Sequence, residues 1–266
     1  MEITHFFGYF FGLIMGITLG LIGAGGSTMT VPIMVYLFGL DTVLATTYSL
    51  FIVGFTSVIG SYKYYKLGNI SWMFVVLFGI PSIFAVILSR TYLIHLIPIE
   101  IIHTTNFLLT KNTLLLVVFA CMMLFASISM IKNSTNETNG TDLNINRFQI
   151  ILAGLLVGFV TGIVGVGGGF LIIPVLTNWA KLPIKKAVAS SLTIITINSL
   201  IGFGVDHDGL KRIDWIHMSI FSLIAIVGIM VGIKLSTNIP SKKLKPLFGW
   251  FILIMGISII LTEILK

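Results

Sequence analysis

The residues with the clearest capacity for chemistry are glycines, and they come in two matched sets. Gly20, Gly23, Gly25, Gly26 and Pro32 recur 142 positions later as Gly162, Gly165, Gly167, Gly168 and Pro174. They sit inside the apolar stretches GITLGLIGAGGSTMTVPIMV, from Gly16, and GFVTGIVGVGGGFLIIPVLT, from Gly158. Glycine clusters and proline interrupt a helix. A helix restarting after such a break presents free backbone N–H groups and the positive end of its dipole, which together suit an anion. Glycine also lets that backbone approach a ligand closely. Ser27, Thr28 and Thr30 add hydroxyls at the first turn. Further along each half come Thr46, Thr47, Ser49, Thr56 and Ser57, then Ser190, Ser191, Thr193, Thr196 and Asn198. A single hydroxyl in an apolar helix more often serves packing or bonds its own helix's carbonyl. Two aligned glycine breaks are hard to explain as packing, and an amide such as Asn198 within an apolar span is costly unless partnered. The expected anion-binding set is therefore Gly23, Gly25, Gly26, Ser27, Thr28 and Ser49 with Gly165, Gly167, Gly168, Gly169, Ser191 and Asn198.

Other chemistries are poorly supplied. The spans hold no central Asp, Glu or Arg, so neither a carboxylate proton relay nor an arginine clamp is expected. Arg90 and Lys234 fall at span ends, where snorkelling explains them. His5, His95, His103, His207 and His217 lie in loops or at span edges without ligand spacing, and Cys121 is a lone cysteine. No metal, cofactor or disulfide framework is expected. Nothing around Ser27 resembles a nucleophile turn, so the chain reads as a non-enzyme.

The elements that would hold the glycine turns must cross a membrane. Of 266 residues, 56% are apolar and only 9% charged, and the mean hydropathy is +1.07. A soluble domain carries about a quarter charged residues. The class is all-α, a polytopic helical membrane protein whose surroundings are the lipid bilayer. The formal charge of +7 resides in short loops, where it orients helices rather than binding nucleic acid. With Glu2 in place of a basic segment, the N-terminus does not read as a cleavable signal.

Two copies of one unit account for the chain: a first membrane repeat over 1–131, a polar linker over 132–147, and a second repeat over 148–266. Ala45, Ser49, Leu50, Ser57, Ile59 and Gly60 recur as Ala187, Ser191, Leu192, Ser199, Ile201 and Gly202. Trp72 then matches Trp215 with one residue inserted, and Ile97-Pro98 matches Ile239-Pro240. Three N-x-S/T patterns in the linker, at Asn133, Asn136 and Asn139, are what an Asn/Thr-rich segment produces by chance. A crossing helix needs about 20 apolar residues; 43–62, 72–90 and 112–131 qualify in the first copy, and 187–204, 215–233 and 246–262 in the second. Each copy begins with a broken pair (5–22 and 28–39; 149–164 and 170–179). The uncharged turns GAGGS and GVGGG between their limbs suggest re-entrant hairpins buried in protein, although full spanning gives the same topology. If each pair returns to its starting side, eleven Lys/Arg, including Lys63, Lys186 and Lys243, share one face and five the other. The richer face should be cytoplasmic, with the linker on it and both termini outside. The copies are then inverted, and their glycine turns approach each other from opposite sides. Reading each broken pair as a single crossing would instead give two parallel four-span copies and move the lysine clusters outside.

The doubled G-x-x-G-x-G-G-x(5)-P pattern, the A-x-x-x-S-L segment and the following tryptophan resemble the sulfite exporter TauE/SafE family over essentially the whole chain. The resemblance implies a bacterial inner-membrane permease moving sulfite, organosulfonates or related small oxyanions, typically outward. Ser27 is replaced by Gly169 in the second copy, so the half-sites differ. Cys121 lies outside the motif, which argues against a thiosulfate-uptake route lined by cysteines. A secondary transporter, with a proton or sodium as coupling ion, is the leading expectation. The alternatives are a passive anion channel, a permease for another small anion, and a non-transporting membrane partner protein; the oligomeric state stays open.

Overall fold

The computed structural model describes residues 2–23, 25–96, 98, 100–104, 107–132, 147–165 and 167–265. Most of the linker, with its three asparagine patterns, lies outside the described residues. Helix α1 (Glu2–Ile22) ends at the first glycine break. Helix α2 (Gly25–Pro32), extended by a π turn over Ile33–Leu37, folds back beside it. Next come α3 (Thr42–Lys66) and α4 (Trp72–Leu88), the latter continuing through a π turn over Ser89–Leu93 into a short α5 (Ile94–Leu96). An antiparallel hairpin, β1 (Glu100–Thr104) and β2 (Phe107–Thr110), leads into α6 (Lys111–Lys132). The second half runs α7 (Arg147–Val164), α8 (Gly169–Asn178), α9 (Ile184–Gly204), the single turn α10 (His207–Leu210), α11 (Trp215–Asn238) and α12 (Ser241–Ile264).

Seven helices among the described residues are long and apolar enough to cross a membrane. They include all six expected spans, with ends shifted by a few residues, and α7. The chain is a polytopic helical membrane protein. Its polarity runs outward to apolar: Phe84, Phe125, Leu223 and Ile254 are exposed, whereas Thr46, Thr47, Ser49, Thr56, Ser57, Ser190, Ser191, Asn198 and Ser199 are buried. The hydroxyl-rich α3 and α9 are the most buried of the spans.

Local sequence explains several helix boundaries. Asp41 caps α3 by accepting from Leu44 N–H at 3.0 Å, Asp206 caps α10, and Asp214 caps α11. These carboxylates satisfy N–H groups left without helical partners. Proline at 183 and 240 precedes α9 and α12, where its missing N–H costs little. The π turn after α4 falls within an interval where the register between the halves changes. Trp72 matches Trp215, 143 positions on, but Ile97 matches Ile239, 142 on. The first half holds one extra residue in this interval, and a π turn accommodates such an insertion within a helix.

Helix contacts cross between the halves in matched pairs. Helix α1 packs on α11 as α7 packs on α4, α3 packs on α9, and α6 packs on α12. The match extends to residues. A methyl on Gly12 would meet the Phe221 ring, one on Gly16 the Ala225 carbonyl, and one on Gly20 the Ile229 carbonyl. Correspondingly, Gly154 faces the Phe78 carbonyl, Gly158 the Ser82 carbonyl, and Gly162 Val86 and Ser89. Spacing of four residues puts each glycine set on one helix face, so backbones meet directly, as small residues permit in membrane helices. Overpacking such a seam costs about 1–3 kcal/mol even in adaptable cores. Gly158→Leu should therefore lower the melting temperature of the detergent-purified protein and reduce its yield. Gly204→Ala, where a methyl meets nothing within 4 Å, should leave both unchanged; equal behaviour of the two variants would refute the seam.

Candidate functional site

Each glycine break is covered by the third crossing helix of the other half. Gly23 has φ +76° and lies against Val188 and Ser191 of α9; Gly165 has φ +69° and lies against Thr46 of α3. These left-handed conformations favour glycine. Helices α3 and α9 run antiparallel, with Gly54 against Ser199 and Leu200, Gly60 against Leu192, and Gly202 against Leu50. Gly23 and Gly165 therefore sit toward opposite ends of this pair rather than tip to tip. The physical reason is limb length. Helices α1 and α7 have 21 and 18 residues, about 31 and 27 Å of rise, so each reaches past the middle before turning. The returning limb starts further back. Helix α8 has 10 residues, about 15 Å, roughly half of a ~30 Å hydrocarbon core.

The second turn reaches the middle of the α3–α9 pair. Gly167 (φ +66°) lies against Val53, Ile195 and Ser199, and a methyl there would come 2.6 Å from Ser199 Oγ. Gly168 (φ +75°) occupies the N-cap position of α8 and supplies no side-chain cap, and Gly169 is its first residue. The first N–H groups of α8 thus begin near the centre without helical acceptors. Ser49, Val53 and Ser57 form one stripe of α3 at i, i+4 and i+8; Ser191, Ile195 and Ser199 form the matching stripe of α9. The hydroxyls of Ser49, Ser57 and Ser199 are buried without a hydrogen-bond partner among the described residues. Such groups are costly to leave unmade. Asn198 donates from Nδ2 to Ser82 Oγ at 2.6 Å, while its Oδ1 has no partner. Flipping the amide exchanges these roles, because a hydroxyl can donate as well as accept.

The remaining expected residues divide. Gly26 presses on Leu19 and the Met15 carbonyl, holding α2 against α1. Gly25 opens α2, Thr28 is fully buried, and the Ser27 side chain lies outside the described residues. Ser191 donates to its own helix at Val188 O (2.9 Å) and approaches Gly23 O at 3.4 Å. Thr30, Thr56, Thr193 and Thr196 bond carbonyls of their own helices, the ordinary role of such hydroxyls. Ser199, known from the sequence only as the repeat partner of Ser57, joins the central group.

Arg90 overturns its snorkelling assignment. Its side chain is 1% exposed and ion-paired with Asp206, which is 7% exposed. It also donates to Thr46 Oγ1 at 2.9 Å and Thr47 Oγ1 at 3.0 Å. Thr47 in turn donates to Asp206. Arg90 lies within the π turn over Ser89–Leu93, and its guanidinium enters this network instead of running along the helix to the interface. Isolated from water, a charge of this kind needs a counterion. Burial pushes the Asp206 pKa up, but the Arg90 charge and the hydrogen bonds from Thr47, Arg90 and Gly209 N–H together outweigh it and hold the carboxyl below the usual range. The Asp206 carboxylate is accordingly ionised at neutral pH, and its contribution to the pair is lost as pH falls through that depressed value. Asp206 also lines a cavity of 570 Å³ with Asp41, Lys111, Asn112 and Arg212. On its other side, Thr46 links Arg90 to Gly165.

Residues 9–259 match the family described as Sulfite exporter TauE/SafE. A protein of Methanocaldococcus jannaschii named a probable membrane transporter protein is 28% identical over 256 residues, covering 91% of this chain and 90% of its own. One of Haemophilus influenzae with the same description is 23% identical, over 91% of this chain and 92% of its own. The Bacillus subtilis probable membrane transporter protein YdhB is 26% identical, over 86% and 89%. No solved structure matches the chain. With the match spanning both glycine turns and the crossing helices around them, the chain belongs to the sulfite exporter TauE/SafE family.

Proposed function

We propose that the protein is a secondary transporter that exports a small sulfur-containing oxyanion, such as sulfite or an organosulfonate, held between the two glycine turns. The observation that carries this is Gly167, at φ +66° against the middle of α3 and α9. It brings the start of α8 beside the Ser199 hydroxyl, which has no partner among the described residues. An oxyanion accepts from such donors, and helix N-termini need no cationic side chain to attract it. In the proposed site Gly167, Gly168 and Gly169 offer backbone N–H groups, Ser57, Ser199 and Ser49 offer hydroxyls, and Asn198 sets selectivity. Gly23, Gly25, Gly26, Ser27 and Thr28 form the corresponding half-site.

The inverted arrangement of repeats 1–131 and 148–266 is part of the reading. In its support, Arg90 pairs with Asp206 and Arg212 with Asp41 at 2.7 Å. Parallel four-span copies would put the members of each pair on opposite faces. Tyr36 and Glu263, bonded at 2.9 Å, share the same end. The lysine bias makes that end external, with both termini outside and the linker cytoplasmic in a bacterial inner membrane. Rearrangement of the repeats around the fixed centre would alternate access, coupled to a proton or sodium gradient.

Sulfite efflux from proteoliposomes tests the reading. Gly167→Val should abolish efflux in protein that retains its native elution profile; undiminished efflux overturns the site. In Asn198→Asp the introduced carboxylate would oppose a bound anion; for a separation of about 4 Å and an effective dielectric of about 20 the repulsion is about 4 kcal/mol, close to a thousandfold in affinity. Asn198→Ser should lose far less. Efflux by the wild type should saturate and respond to an imposed ion gradient; linear, uncoupled flux would identify a passive channel.

A further inference from the structure

The two ends of the α3–α9 pair are built from corresponding positions but from opposite chemistry. In the duplicated register Tyr64 stands where Asp206 does, Val188 and Ala189 where Thr46 and Thr47 do, and Gly232–Ile233 at the turn that carries Arg90. At the Tyr64 end the contact at this position is uncharged. Its hydroxyl donates to Gly20 O at 3.0 Å and lies 3.1 Å from Ser236 Oγ. The Asp206 end is ionic, closed by a guanidinium from one half and a carboxylate from the other. Arg90 is incompletely used there. Its Nε–H has no partner among the described residues, and Asp206 engages Nη2 through one oxygen while the other oxygen accepts from Gly209 N–H. A guanidinium edge with a spare donor matches the two-point recognition of an oxyanion.

We propose that Arg90 is a second oxyanion ligand, present at this end only, and that Asp206 is the built-in anion that holds its place. A transported oxyanion leaving the Gly165–Gly167 turn would pass Thr46 and take over the Arg90 guanidinium. Asp206 would then swing toward Lys111 and Arg212, the cations of the 570 Å³ cavity. This exchange opens the ion pair without ever leaving the guanidinium uncompensated. The opposite end, a neutral tyrosine contact, needs no anion to open. The device rests on the anion-export reading and deepens it by naming an exit site and the charge that guards it.

Detergent-purified protein titrated with sulfite, sulfate and methanesulfonate, read by anion-dependent thermal stabilisation, tests this exchange. Asp206→Asn removes the competitor and should tighten anion binding by about tenfold, within the usual range of coupling between sites. The double variant Arg90→Gln/Asp206→Asn keeps the shapes without burying a lone charge, so it should fold, and should bind at least about tenfold more weakly than Asp206→Asn. Equal affinity in wild type, Asp206→Asn and the double variant, with binding still abolished by Gly167→Val, would overturn the exchange while leaving the central site intact. Failure of all three anions to stabilise the wild type would overturn both.

Discussion

A backbone break inside an apolar interior has no water to satisfy it, so protein must cover it from every side. The rest of the architecture follows from that constraint. Neither half covers its own break alone. Gly23 is covered by α9, Gly165 by α3, and the limbs leading to both are clamped by the fourth crossing helix of the opposite half. The halves are interleaved, and α3 and α9 are buried together between them. That placement explains why the most hydroxyl-rich helices are the most central. Serine and threonine serve there both as small packing residues and as the polar lining a buried turn requires.

Much of this was legible in the chain itself. The six spans and the glycine breaks could be read because each depends on a short local signal: apolar length, or the conformational freedom of glycine. The depth of the turns was not legible. Meeting tips are the natural expectation for inverted hairpins, but limb length carries Gly23 and Gly165 past the middle and leaves Gly167 to reach it. The strand pair at Glu100–Thr110 likewise breaks the correspondence between halves and has no patterned signal in sequence.

The burial of Arg90 is hidden in the sequence for a different reason. Position along an ideal helix put it at a span end, where a long cationic side chain ordinarily reaches for water. Its partner is Asp206, 116 positions away, and its own turn is a π turn rather than an α-helical one. The register change between Trp72/Trp215 and Ile97/Ile239 was visible as a sequence anomaly. Only the fold connects it with a buried charge. Asymmetry between the copies, more than their likeness, marks where the two ends of the molecule differ in chemistry.

The exchange of partners between halves also bears on how the protein is made. Helix α1 packs along α11, which begins nearly two hundred residues later. At ribosomal speeds of about 5–20 residues per second, α1 waits roughly ten to forty seconds for its partner to be synthesised. During that interval the glycine face of α1 and the open end of its hairpin have only lipid, the insertion machinery or a chaperone for company. A nascent chain halted after the first repeat would be an incomplete surface rather than half of a transporter. Assembly is therefore a late event, set by arrival of the last third of the polypeptide.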